Sequence, residues 1–284
     1  MPARRPIVLS AKRRVWRMDD EHAAVMSGAL RDRVLERDRY ACVFCGLKSS
    51  QHQEVHHLDD DHNNNVATNL VTACPLCHQC FHIGLAGMEG GGRMIWLPEL
   101  EQADLNLLCV VIFVAIFDGG EYAEAAQSLY QSLEERAGLL EASGTLGEGA
   151  SNPTIWANQL LTLDEDQYAN RGVAMEGLRL LPSSRRFSRQ IAFWAQTTFA
   201  SRPPGTWEQI FSAVADKLAD EDESEDGDAG ASSLEGVSGP AQAASSTDGE
   251  VMEFDDQPLA EEPPESIFAD DAGAGEAGAG EARA

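Results

Sequence analysis

Two short motifs in the first third of the chain carry the residues most able to do chemistry. Cys42 and Cys45 form one C-x2-C pair, Cys74 and Cys77 a second, and 28 residues separate them. A thiolate is a strong ligand for a borderline-soft dication, and two such pairs are the pattern of a tetrahedral Zn(II) site with a closed, structural shell. The i, i+3 spacing lets both sulfurs of each knuckle turn toward one ion, and Gly46 eases the turn after the first. Cys80 stands one helical turn beyond Cys77, as a spare thiol or a substitute ligand. Cys109 falls in an apolar run and reads as core. Between the knuckles lies Glu54-Val55-His56-His57, then Asn69, and after the second knuckle His78 and His82 at i, i+4. Imidazoles at these positions suit metal binding and general base catalysis.

The His pair, the Asn and the later histidines around C-x2-C resemble the HNH endonuclease module, a ββα-metal fold with a treble-clef-like zinc staple. That resemblance implies metal-assisted phosphodiester cleavage. His57 would activate water, Asn69 would brace its loop, and His56 and His78 would hold a second divalent ion, with His82 as a third ligand or phosphate contact. Against cleavage stand Asp59, Asp60 and Asp61, three carboxylates directly after the His pair, which repel a polyanion. The arginines at 31, 33, 37 and 39 alternate with Asp32, Glu36 and Asp38, so they read as a salt-laced helix face rather than a DNA-binding stripe.

The elements that must position these residues follow from hydropathy and breakers. Ser27 caps a helix that carries Leu30, Val34 and Leu35 and ends near Asp38. Residues 40–44 and 53–58 have strand-like or turn-like composition, and 59–65 is a polar loop. Pro75 opens a helix running to about Gly84. The five glycines between Gly84 and Arg93 read as a flexible connector, because no Gly-Lys-Ser/Thr follows to make a phosphate cradle. Pro98 starts a helix through Leu105, Leu108, Ile112 and Phe117 that stops at Gly119-Gly120 and is apolar enough to be the buried centre. Further helices are expected over 121–141, 153–162, 172–181, 183–200 and 205–219. The fold class is therefore α+β and mostly α. A basic N-terminal arm covers 1–26, the zinc module 27–92, a helical region packed on it 93–219, and a disordered acidic tail 220–284.

Composition narrows the function classes. The 284 residues carry a net charge of −26. The last 65 hold 20 acidic side chains and one basic side chain, leaving only −7 on the first 219, so a basic nucleic-acid coat is excluded. That tail has too little apolar surface to offset its ordering entropy. The longest apolar run, Leu107 to Phe117, is eleven residues, short of a membrane span, and the N-terminus reads as no signal peptide. A cytoplasmic protein is expected, with cysteines as ligands or core rather than disulfides.

The order of the remaining features is narrower still. Leu70 to Phe81, with Cys74-Pro75-Leu76-Cys77 and Cys80, is followed by Gly90 to Leu100, then Gln102-Ala103, Leu105 to Cys109, a Tyr122–Tyr130 helix, Gly147-Glu148-Gly149 before Pro153, and Leu180 to Ser183. Over roughly residues 27–200 this resembles the DotN (IcmJ) family of type IVB secretion systems. The resemblance implies a cytoplasmic adaptor, associated with the inner membrane through a coupling complex. It would bind the C-terminal segment of the coupling ATPase DotL, near DotM, IcmS and IcmW, and would use its nuclease-like zinc fold without cutting DNA. The full His-Asn-His set keeps a metal-dependent HNH endonuclease, with DNA as partner, as the alternative.

Overall fold

The structure is a computed structural model that describes residues 4–11, 26–142 and 149–201. The chain divides into two units, Met1–Ala229 and Gly230–Ala284, and every described residue lies in the first. Most of the arm (residues 1–3 and 12–25), the helix expected over 205–219 and the whole acidic tail lie outside the described residues. The described part is mixed α and β and mostly helical.

Helix α1 (Gly28–Arg37) begins where the Ser27 side chain accepts the Leu30 amide and buries Val34 and Leu35. It ends at Asp38, and Arg39 and Tyr40 then take positive φ. The chain folds back through an Ala41–Lys48 bridge, so that Cys42 N donates to Leu47 O at 2.9 Å and Gly46 sits at φ +83°. Strands β1 (Glu54–His57) and β2 (Leu70–Ala73) pair antiparallel, with His56 opposite Val71 and His57 opposite Leu70.

The single helix expected from Pro75 to Gly84 is three pieces. Helix α2 (Pro75–His78) passes into a 3-10 turn (Gln79–Phe81), and α3 (Ile83–Met88) starts after a break at His82, φ −138°. The cause is the N-terminal segment. Ser10 N donates to Cys80 O at 3.0 Å, and Ile83 N donates to Ser10 O at 3.1 Å. The two helical bonds that Cys80 O and Ile83 N would make are replaced by bonds to Ser10. Ile7, Leu9 and Ala11 are buried alongside. The charge of the arm pointed to none of this.

The glycine-rich stretch is not a connector. Gly84 and Gly87 belong to α3, whose close approach to the helix over Pro153–Thr162 sets a Cβ on Gly84 only 3.1 Å from that of Ala157. Gly92 opens strand β3 (Gly92–Trp96), where a side chain would strike the Leu181 carbonyl oxygen. Helix α4 (Gln102–Asp118) begins four residues after Pro98, because Leu97 is still bonded to Gly177 O and Glu101 is extended. Its interior is buried almost all round, and it stops at Gly119 in the left-handed conformation, as its composition required.

The helix expected over 121–141 is α5 (Ala123–Glu135) and α6 (Ala137–Ala142), divided at Arg136, which pairs with Glu99. Helix α7 (Pro153–Thr162) is capped by Asn152 and spans the residues expected. The helix expected over 172–181 is overturned. Short α8 (Glu165–Ala169) and α9 (Arg171–Ala174) lead to strand β4 (Leu178–Pro182), which pairs antiparallel with β3. Gly177, at φ +77°, ends the helical backbone, and Leu178, Leu180 and Leu181 gain burial and a ladder partner together. Helix α10 (Ser188–Gln196) packs on α4 through buried Ile191 and Trp194.

Candidate metal centres

The first centre is built by the Ala41–Lys48 loop and the N-terminus of α2. It brings together Cys42, Cys45, Cys74 and Cys77, all buried, with their sulfurs within 4.8 Å of one another. Cys45 and Cys74 Sγ are 3.7 Å apart. That is close to the edge of a tetrahedron whose metal–sulfur bonds are ~2.3 Å, so the four residues could hold a metal ion. Hydrogen bonds from Cys45, Cys74 and Cys77 outweigh burial and bring the Cys42 thiol down. Cys74, bonded to Cys42, is pushed up, as is Cys77, chiefly by burial. One thiolate suppresses its neighbours, and only a cation at the centre would let all four ionise.

Two polar groups face these sulfurs. Leu47 N donates to Cys45 Sγ at 3.4 Å. Asn106 Nδ2, on α4, lies 3.4 Å from Cys77 Sγ, 3.5 Å from Cys80 Sγ and 3.2 Å from Leu76 O. Gln102 Nε2 donates to Asn106 Oδ1 at 2.9 Å and to Leu180 O, and Gln102 Oε1 accepts from Leu180 N. A buried amide chain thus ties β4 to the second knuckle. Asn106 was missed in the sequence, where its one signal was a polar residue in an otherwise apolar run. Cys80 stands outside the four: burial pushes its thiol up to about 12, and it donates to Leu76 O. Cys109 is buried core.

The second centre lies between β1 and the α2–α3 break. Donor atoms of His56, His78 and His82 fall within 4.8 Å of one another, and those of Asp60, His62 and His82 form another such triad. The helix break does not part His78 from His82, whose rings are 5.0 Å apart. His56 stacks on Phe81 at 4.0 Å. Burial, then the neighbouring His78, His82, His57 and His62, lower its imidazole to about 3, so it is neutral near pH 7. His78 Nδ1 pairs with Glu54. His57 is turned the other way: Nε2 meets Asn65 Oδ1 at 3.1 Å, and the ring stacks on His62 at 4.8 Å.

Asn69 hydrogen-bonds within the 58–69 loop. Its Nδ2 donates to Asp59 Oδ1 at 2.7 Å and Asn64 O at 2.9 Å, while Oδ1 accepts from Asp59 N at 3.1 Å. It clamps the 58–69 loop at its base. Glu54 was named in its motif without a role, and Asn65 and His62 were not singled out from sequence, although His62 inside an Asp- and Asn-rich loop was a visible signal. Beside these residues a cleft of about 430 Å³ is lined by His56, His57, Asp59, Asp60, Arg5 and Arg171.

Over 165 residues the chain is 41% identical to the type 4 apparatus protein DotN of Legionella pneumophila, an alignment spanning 57% of this chain and 76% of that protein. The chain belongs to the DotN family. No family model matches it. Among the described residues no helix is long and apolar enough to cross a membrane.

Proposed function

We propose that the chain is a cytoplasmic adaptor of a type IVB secretion coupling complex, held at the inner membrane through its partners. It binds the C-terminal segment of a DotL-like coupling ATPase, and a Zn(II) ion in the Cys42, Cys45, Cys74, Cys77 centre staples the fold that does so. The observation that carries this reading is the 41% identity to DotN across three quarters of that protein. Exposed Leu85 and Met88 on α3 and Leu161 on α7, two helices packed together, support it as apolar contact positions. Trp194 is fully buried and serves the core, so it offers no contact to a partner. Titration of the full chain with the ATPase's C-terminal segment from the same host should show binding that Met88→Asp weakens. Absence of binding would sink the adaptor reading.

The convergence of His56, His78 and His82 favours a second reading, an HNH endonuclease with DNA as its substrate. In it these three would hold a divalent ion, which would supply charge stabilisation at a leaving oxygen, and His57 would be the general base. Asp59 and Asp60, which line the cleft, and Asp61 next to them in sequence oppose it by repelling phosphate. A plasmid-nicking assay at low salt with Mg(II), Mn(II), Ni(II) and Zn(II) separates the two. Nicking that vanishes in His57→Ala would make the chain a nuclease, and no nicking leaves the adaptor.

A further inference from the structure

We propose that Asp60, His62 and His82 form a separate divalent-metal site, which clasps the 58–69 loop onto the break between the 3-10 turn and α3. Their donor atoms lie within 4.8 Å of one another, although Asp60 and His62 come from the loop and His82 lies some twenty residues further on. The loop is shaped for this by its own side chains. Asp61 N donates to Asp59 Oδ1 and Asn63 N to Asp61 Oδ1, both at 3.0 Å, and Asn69 closes the base. Those bonds turn Asp60, at φ +59°, and His62 to the same side.

Charge and access separate this triad from the one formed by His56, His78 and His82, with which it shares His82. A dication leaving water needs compensating negative charge. Asp60 supplies a carboxylate directly, whereas the other triad is three imidazoles, one of them 5% exposed and stacked on Phe81. Asp60, His62 and His82 are all half-buried, so water can complete the shell. Two imidazoles and a carboxylate with open positions suit Zn(II), Co(II) or Ni(II) over Mg(II) or Ca(II). Bound there, the ion would hold the loop that carries Asn65, the partner of His57 Nε2, and would offset the carboxylates at the cleft that Arg5 and Arg171 also line.

The test is Co(II) and Zn(II) titration of the full chain, followed by metal analysis and absorption. Thiolate-to-Co(II) charge transfer marks the cysteine centre, and a second ion without that band marks a nitrogen and oxygen site. About two ions per chain are expected for the wild type and for His78→Ala, and about one for His62→Ala and for Asp60→Asn, with the charge-transfer band intact in all four. Hydrogen exchange across residues 58–69 should slow when the second ion binds and should not respond in His62→Ala. Loss of the second ion in His78→Ala but not in His62→Ala would move it to the other triad and overturn the proposal. So would loss in both, which means one ion shared between the triads, or a wild type that takes no second ion.

Discussion

Most of what the cysteine centre does is decided by single side chains. Cys45 is fully buried among three other thiols, and the Ala41–Lys48 loop that carries it has only Phe44 and Leu47 as buried apolar side chains besides its cysteines to hold it without an ion. Cys45→Ser should release the metal and unfold this segment, read as lost zinc in metal analysis and a lowered melting temperature. Asn106 acts through Cys77 rather than as a ligand. Its amide N–H groups lower the cost of negative charge on sulfur, and its oxygen satisfies Gln102. Asn106→Ala should cost about 1–3 kcal/mol through the unpaired groups it leaves. It should also speed zinc loss to a chelator by roughly 10–100-fold, as partners of metal ligands elsewhere do. A purely packing role for Asn106 would change the melting temperature and leave the chelation rate alone.

At the scale of elements, two junctions hold the site in place. One is the cap between α1 and β2. Asp38 accepts from Thr72 N at 2.9 Å and from Arg37 Nε at 2.8 Å. Burial alone would raise the Asp38 carboxyl, but the bonds from Arg37 and Thr72 outweigh it, and the group ionises below its ordinary range. A depressed folded pKa contributes stability that is complete above the unfolded value of about 3.9 and is lost as pH falls through the folded one. The difference in unfolding free energy between wild type and Asp38→Asn should therefore be constant near neutrality and shrink below about pH 4. The other junction is the β3–β4 sheet, where Gly177 holds φ +77° and a Cβ would sit 2.5 Å from the Trp96 ring. Gly177→Ala should destabilise by about 2–4 kcal/mol and shift Trp96 fluorescence, because both backbone and ring must move.

For the whole molecule, charge and core are separated along the chain. The described residues bury one continuous apolar cluster that runs from Ile7 through the cysteines and α4 to Trp194. The 65 residues from Asp220 onward carry −19. Like charge at that density opposes compaction, so a chain ending at Ala219 should keep the zinc proposed for its cysteine centre and the melting temperature of the full protein. A drop of several degrees on truncation would show that the tail contributes to the fold.

Local chemistry was legible where a residue's role depends on near neighbours. The two C-x2-C pairs, the Ser27 cap, the Gly119 stop and the Pro153 helix start each need only a few adjacent residues, and the structure keeps all of them. The set of His56, His78 and His82 came from the HNH resemblance rather than from any local rule, and the fold brings their donor atoms within 4.8 Å of one another. Long-range pairing was not readable. Leu178 to Leu181 has the composition of a helix end, and becomes a strand because Met94 and Ile95, more than eighty residues earlier, offer it a ladder and a buried face. The break at His82 comes from Ser10, seventy residues away, taking the backbone bonds of Cys80 and Ile83. Asn106 meets Leu76, Cys77 and Cys80 only through such distant contacts, since burial and hydrogen bonding depend on what the fold places beside a residue and not on what precedes it.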